Sequence, residues 1–370
     1  MQTFCSSLRN IFSFRVAEID TASFRLHYKV TFPILLFLSV LVGWRQIFEV
    51  AISCFSRNSD IPGVFVNNYC YTHSTFSYEE SWSKSVGEEV PYPGMDKYSS
   101  DKTKVHHTYY QWVSLVIFVQ SILFLLPRCF WKHVESGRLE ELTKELSKPE
   151  VVKESFHGQN LIRSTTESSR LLLRSELKRN GGYFASYVVA EVLNLVNVVG
   201  QFCLMNIFLG GHFFFYGHQA LQFTGLLEPG FKLFPGVAGC NIYTYGSSGD
   251  PQRHSIMCLL PINILNSKIY AFLWFWFVFL FIVSCCALVC RCAFFVSSWF
   301  RGASLASGNR HLDKKQLQVV VSQISASDCF LLYLISRNIS SVKFKEVVSR
   351  LAKEDLGAQK FSDDDENTLM

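Results

Sequence analysis

The stretch His106–Lys132, HHTYYQWVSLVIFVQSILFLLPRCFWK, decides how the whole chain is read. From Tyr109 to Leu126 it carries no charge, and Pro127 and Arg128 close it. A helix rises about 1.5 Å per residue, so this run covers most of a hydrocarbon layer about 30 Å thick. Two tyrosines, a glutamine and a tryptophan are an awkward opening for a soluble core helix. They suit a membrane span, because phenol and indole rings join an apolar body to a polar tip that reaches the headgroups.

Three other runs have the same character. In a chain of 370 residues, 49% are hydrophobic and 34 are phenylalanine, more apolar material than one soluble core requires. Gathered into long runs, it marks a polytopic membrane protein. The expected fold is an all-α transmembrane, four-helix membrane subunit with a small disulfide-stapled α/β extracellular cap and a helical cytoplasmic dome. Residues 1–29 form an amino-terminal segment. Spans run over 30–53, 109–127, 183–209 and 269–290. Between them lie an outer loop at 54–108, a helical inner loop at 128–182 and a second outer loop at 210–268, with a helical carboxy-terminal region at 291–370 whose acidic end is expected to be disordered. No uninterrupted apolar stretch precedes Lys29, so the first span is expected to act as its own insertion signal.

Charge gives the orientation. Lysines and arginines number four before the first span, eleven between the second and third and eleven after the fourth, against five and three in the two remaining segments. The richer side is the cytoplasmic one, which puts both termini inside. A net charge of +5 is too small to suggest a nucleic-acid partner. Membrane lipids are the expected surroundings instead. Cysteine position agrees: the outer loops hold Cys54 and Cys70, then Cys240 and Cys258, and no other cysteine. An even pair in each loop fits an oxidising exterior. Four cysteines leave three connectivities open.

Tyr109-Tyr110-Gln111-Trp112 at the head of the second of four spans resembles the signature of the innexins, the gap-junction channel proteins of invertebrates. FRLHYK before the first span, LPRCFWK after the second, EVLNLVNVVGQ in the third, LPINILNSKIYAFLWFWF entering the fourth and FLLYLISRNI near the end extend the resemblance over most of the chain. It is similar to the insect type, and two cysteines per outer loop separate it from connexins, which have three. Pannexins share the count but are usually glycosylated outside, whereas the sequon here, Asn338-Ile339-Ser340, falls on the inner side. Two departures bear on pairing preference: Tyr71 stands where insect members usually have tryptophan, and EVAIS where many have Asp-Pro. Such divergence fits a specialised paralogue or a virus-carried copy.

The resemblance implies a subunit of a large-pore channel or hemichannel, eight per ring, in homo- or hetero-oligomers that dock with a hemichannel of the adjacent cell. It implies plasma-membrane localisation at gap junctions, and no catalytic activity, cofactor or metal. It also implies disulfides between the two outer loops. Within that implication nested pairing is expected, Cys54 with Cys258 and Cys70 with Cys240. The amino terminus, beginning Met1, Gln2, Thr3 and Phe4, would fold into the channel mouth, a loose cytoplasmic arm being the alternative.

Other residues carry their own alternatives. Arg45 and Glu49, one helical turn apart, read first as a structural pair and second as part of a charged pore ring. In the third span Glu191, Asn194, Asn197 and Gln201 fall on one face, which cannot meet lipid cheaply. Hydrogen bonding within the subunit leads over pore lining and subunit contacts. Pro33, four residues into the first run, is expected in a first helical turn, a kink in the span being the alternative. His106 and His107 read as solvated rather than pH-sensing. SCCALVCRC at the inner end of the fourth span reads as helix packing, with lipidation of Cys290 or Cys292 as the alternative. A tetraspan adhesion or scaffold protein without conductance is the competing function, and it would need neither the polar third span nor the large inner loop.

Overall fold

The computed structural model describes residues 18–55, 61–97, 99, 101–147, 181–221, 230–308, 314–349 and 351–352. Met1, Gln2, Thr3 and Phe4, residues 148–180 of the inner loop expected to be helical and the carboxy-terminal end 353–370 lie outside the described residues. Among the described residues, four helices are long and apolar enough to cross a membrane: Ala22–Phe48, Val113–Glu135, Gly182–Phe208 and Pro261–Val296. The chain divides into two compact units, one of Met1–Lys29, Leu125–Leu195 and Val283–Met370, the other of Val30–Phe124 and Val196–Ile282.

Pro33 opens the regular α-helical stretch Phe32–Phe48, but the helix is already under way when it arrives. Six residues before it, Leu26–Thr31, form a π-helical turn. Proline offers no N–H and its ring crowds the carbonyl four residues back. Pro33 thus sits in the first turn of the α-helical stretch, as expected, but a wider turn precedes it, so the helix changes pitch there.

In the unit containing Val30–Phe124, five antiparallel strands form one sheet: β1 (Ser53–Phe55), β2 (Thr75–Tyr78), β3 (Lys104–His107), β4 (Val237–Tyr245) and β5 (Pro251–Leu259). Their order is β1-β5-β4-β2-β3, so the β4–β5 hairpin of the second loop lies between β1 and β2 of the first. β4 and β5 form a hairpin from Val237↔Leu259 to Tyr245↔Pro251. β2 meets β4 only at Phe76↔Gly239. A Cβ on Gly239 would stand 2.7 Å from the Phe76 ring, so only glycine permits this approach. The helix Gly63–His73 completes the cap. In the same unit the first two spans touch through small residues. Ser39 Oγ donates to the Ser114 carbonyl at 2.9 Å and Ser114 Oγ donates to the Ser39 carbonyl at 3.0 Å. Each hydroxyl thus replaces the water it lost on entering an apolar environment.

The other unit is helical. It includes Arg138–Ser147, Ser298–Ser307, Lys314–Gln323, Ala326–Asn338 and 341–349. Ser297 and Ser325 cap two of these helices, their Oγ atoms accepting from the Phe300 and Asp328 amides. Its core is aromatic: Trp131 and Phe330 each bring their ring centroids 4.8 Å from Tyr187.

Candidate functional site

Two constructions join distant parts of the chain, one in each unit. The first is the cap. Cys54 lies directly opposite Cys258 in the β1–β5 register, and the two are disulfide-bonded with Cα atoms 3.9 Å apart. Cys70, on the buried side of the helix Gly63–His73, is bonded to Cys240 of β4 with Cα atoms 5.8 Å apart. The pairing is nested, and each bridge crosses from one of the two cysteine-bearing loops to the other. The sulfurs of Cys54, Cys70 and Cys258 lie within 4.8 Å of one another. All three are consumed in disulfides, so the grouping offers no thiolate to a metal.

The Tyr-Tyr-Gln-Trp segment turns out to fasten this cap. Tyr109–Gln111 form a 3-10 turn ahead of the spanning helix, and Tyr110 is fully buried. Tyr109 Oη donates to the Leu233 carbonyl at 2.8 Å, and Gln111 Nε2 donates to the Tyr71 carbonyl at 2.6 Å. Tyr110 Oη donates to the carbonyls of Cys70 and Tyr71 at 3.3 and 3.2 Å. From the first span, Gln46 Nε2 reaches the Tyr110 carbonyl at 2.7 Å. The expectation that these side chains reach the headgroups is corrected for Tyr109, Tyr110 and Gln111: carbonyls left unfilled at helix ends lie within reach and take their donors. Only Trp112, 56% exposed, keeps the interfacial character.

His107 also departs from expectation. It is buried in β3, its Nε2 2.8 Å from Ser77 Oγ, while His106 is exposed. Burial, with a smaller contribution from His106, holds the His107 imidazole down to about 4. Tyr71 packs its ring 5.4 Å from that of Tyr110, and burial raises its phenol above the ordinary value. Arg45 and Glu49 form an ion pair at the end of the helix Ala22–Phe48, both well exposed.

The second construction is the root of the amino-terminal segment, where four consecutive residues are each tied down. The Glu18 carboxylate pairs with Arg25 and Arg337, and the Glu18 amide and carbonyl bond both ends of the Asn338 amide group. The Ile19 carbonyl accepts from Trp131 Nε1 at 3.0 Å. Asp20 is paired with Arg128 at 2.9 Å and accepts from Tyr28 Oη at 2.8 Å. Burial raises the Asp20 carboxyl above its usual range, outweighing its cationic neighbours Arg128 and Arg25. The Thr21 amide donates to Tyr187 Oη, and Thr21 Oγ1 donates to Glu191.

Glu191 belongs to this construction, since its carboxylate accepts from Arg291 Nε at 2.9 Å with both side chains nearly buried. The Arg291 guanidinium lies over the rings of Tyr187 and Phe330 at 5.3 and 5.2 Å. Asn194 and Gln201 are buried, and Gln201 Nε2 donates to Asn197 Oδ1 at 3.1 Å. Residues 18–21 and Arg291 had no place in the sequence reading. One signal for the pair existed: Glu191 is the only charge between Gly182 and Phe208, and a lone carboxylate inside a span demands a cation.

A family model described as Innexin matches residues 20–354. The chain is 37% identical over 342 residues to Innexin inx2 of Drosophila melanogaster, covering 91% of each chain. It is 37% identical over 345 residues to Innexin inx2 of Schistocerca americana, covering 91% of this chain and 93% of the relative. With Innexin shaking-B of Drosophila melanogaster it shares 33% identity over 354 residues, 93% of this chain and 92% of the relative.

Proposed function

The chain belongs to the innexin family, and from that membership we propose that it is one subunit of a large-pore gap-junction channel that passes ions and small metabolites between adjacent cells. The observation that carries this reading is the cap: one sheet woven from both outer loops, closed by two inter-loop disulfides and fastened to the second span by Tyr109, Tyr110 and Gln111. A rim that docks end to end with a facing rim must be rigid, because each side chain ordered on contact subtracts from affinity.

Four spans enclose little more than their own side chains, so a wide passage requires several subunits around an axis. The family supports eight per hemichannel. Both termini lie in the cytosol in this reading, on the strength of the lysine and arginine distribution. Met1, Gln2, Thr3 and Phe4 enter the mouth, and the tie-down of residues 18–21 supports it, since a segment that enters a pore needs a fixed root. Arg45 and Glu49 hold each other as a structural pair at the membrane edge, a charged ring around the passage being the second reading.

Junctional current between paired cells that both express the chain tests this function. Coupling well above that of untransfected pairs is expected. Abundant protein at the surface with no current in homotypic pairs, or in pairs with cells expressing another innexin, would favour adhesion without conductance.

A further inference from the structure

The helix Pro261–Val296 is the longest described, and its last turns carry thiols that nothing in the channel reading uses. Cys286 and Cys290 are exposed and one helical turn apart, hence on one face. Val289, 68% exposed, lies beside them. Followed back along the helix, that face continues through Phe279 and Ile282, both exposed apolar side chains. A face of this composition on a spanning helix can lie against lipid without leaving a polar group unsatisfied.

Depth along the helix is set by charge. Lys268 and Arg291 bracket 22 uncharged residues. At about 1.5 Å each these cover about 33 Å, close to the hydrocarbon thickness. Cys290 is therefore the last residue of the apolar stretch, and Cys286 lies one turn deeper. Beyond them Trp299, 77% exposed, is a residue type of the membrane boundary. A thiol at that boundary, on that apolar face, stands where an acyl chain can lie along the helix without entering water. Cys285 is half-buried, and Cys292 is exposed on a different side of the helix.

We propose that Cys286 and Cys290 are S-acylation sites that carry long-chain fatty acyl groups. The inference rests on the inward orientation proposed above, because acyl-coenzyme A is a cytosolic donor. Each Sγ attacks the carbonyl carbon of the acyl-coenzyme A thioester. A new thioester forms on the cysteine, the bond to coenzyme A breaks, and the cysteine's proton ends on the released coenzyme A thiol. No atom changes oxidation state.

The test uses the full chain in insect cells. Free thiols are blocked with N-ethylmaleimide, thioesters are cleaved with hydroxylamine, and the released thiols receive a maleimide polyethylene glycol mass tag. Two added tags are expected, one in each of Cys286→Ser and Cys290→Ser, and none in the double variant, with surface abundance unchanged and no tags when hydroxylamine is omitted. Tags that persist in the double variant overturn the proposal. So does their absence from the wild type. In that case, labelling of both thiols by a membrane-impermeant maleimide only after permeabilisation leaves the orientation standing while acylation falls. Labelling on intact cells sinks the orientation as well.

Discussion

Glu191 and Arg291 form a demanding pair, because both are nearly withdrawn from water and the guanidinium lies over two aromatic rings. Removing one partner leaves the other charge buried alone, which costs about 3–5 kcal/mol, whereas replacing both with apolar groups of similar volume is close to neutral. Glu191→Ala should therefore lower the melting temperature of the detergent-purified protein substantially, and Glu191→Leu with Arg291→Met should recover most of the loss. Equal loss in both would show that the pair is not what holds this region. His107 makes a pH-dependent contribution of opposite visibility. Its folded-state value of about 4 lies below the ordinary imidazole value near 6.5. Between those limits the unfolded chain takes up a proton that the folded cap refuses. Stability is thus complete above about 6.5 and declines by up to about 1.4 kcal/mol for each pH unit below it. Melting temperatures measured across that window should fall for the wild type and flatten for His107→Gln.

At the scale of elements, β4 depends on one contact of closest approach. Gly239→Val would drive its side chain into Phe76, separate β2 from β4 and detach β3 with it. Surface expression should drop sharply, while Gly249→Ala in the β4–β5 turn, where no neighbouring atom would meet the new Cβ, should cost only about 1 kcal/mol for its positive φ. The spans and the nested disulfides were legible beforehand, the first from uncharged apolar runs and the second from a family resemblance applied to four cysteines. The role of Tyr109, Tyr110 and Gln111 was not. An amphipathic ring satisfies a headgroup and a backbone carbonyl equally well, and only the fold decides which is nearer. The tie-down of residues 18–21 was hidden for a different reason: its partners at Arg337 and Asn338 lie about 320 positions away, and no local pattern records contacts at that separation. Periodicity likewise placed Pro33 near a helix start but carried no sign of the π turn before it.

For the whole molecule, cap and channel stand or fall together. Cys70→Ser leaves Cys240 unpaired and frees the helix Gly63–His73 from β4. Loss of a native disulfide from a small domain costs about 2–5 kcal/mol, so the four spans should still insert while junctional current between paired cells disappears. Hemichannel dye uptake that survives in the same variant would separate a docking defect from a pore defect. The account's central claim is that the chain threads the membrane four times and presents the two-loop sheet outside. The most direct measurement inserts a short epitope between Ser247 and Ser248, exposed in the β4–β5 turn, and fuses a second epitope to the carboxy terminus. Antibody should reach the first on intact cells and the second only after permeabilisation. Staining of the turn epitope only after permeabilisation, or of the carboxy-terminal epitope on intact cells, would contradict the account.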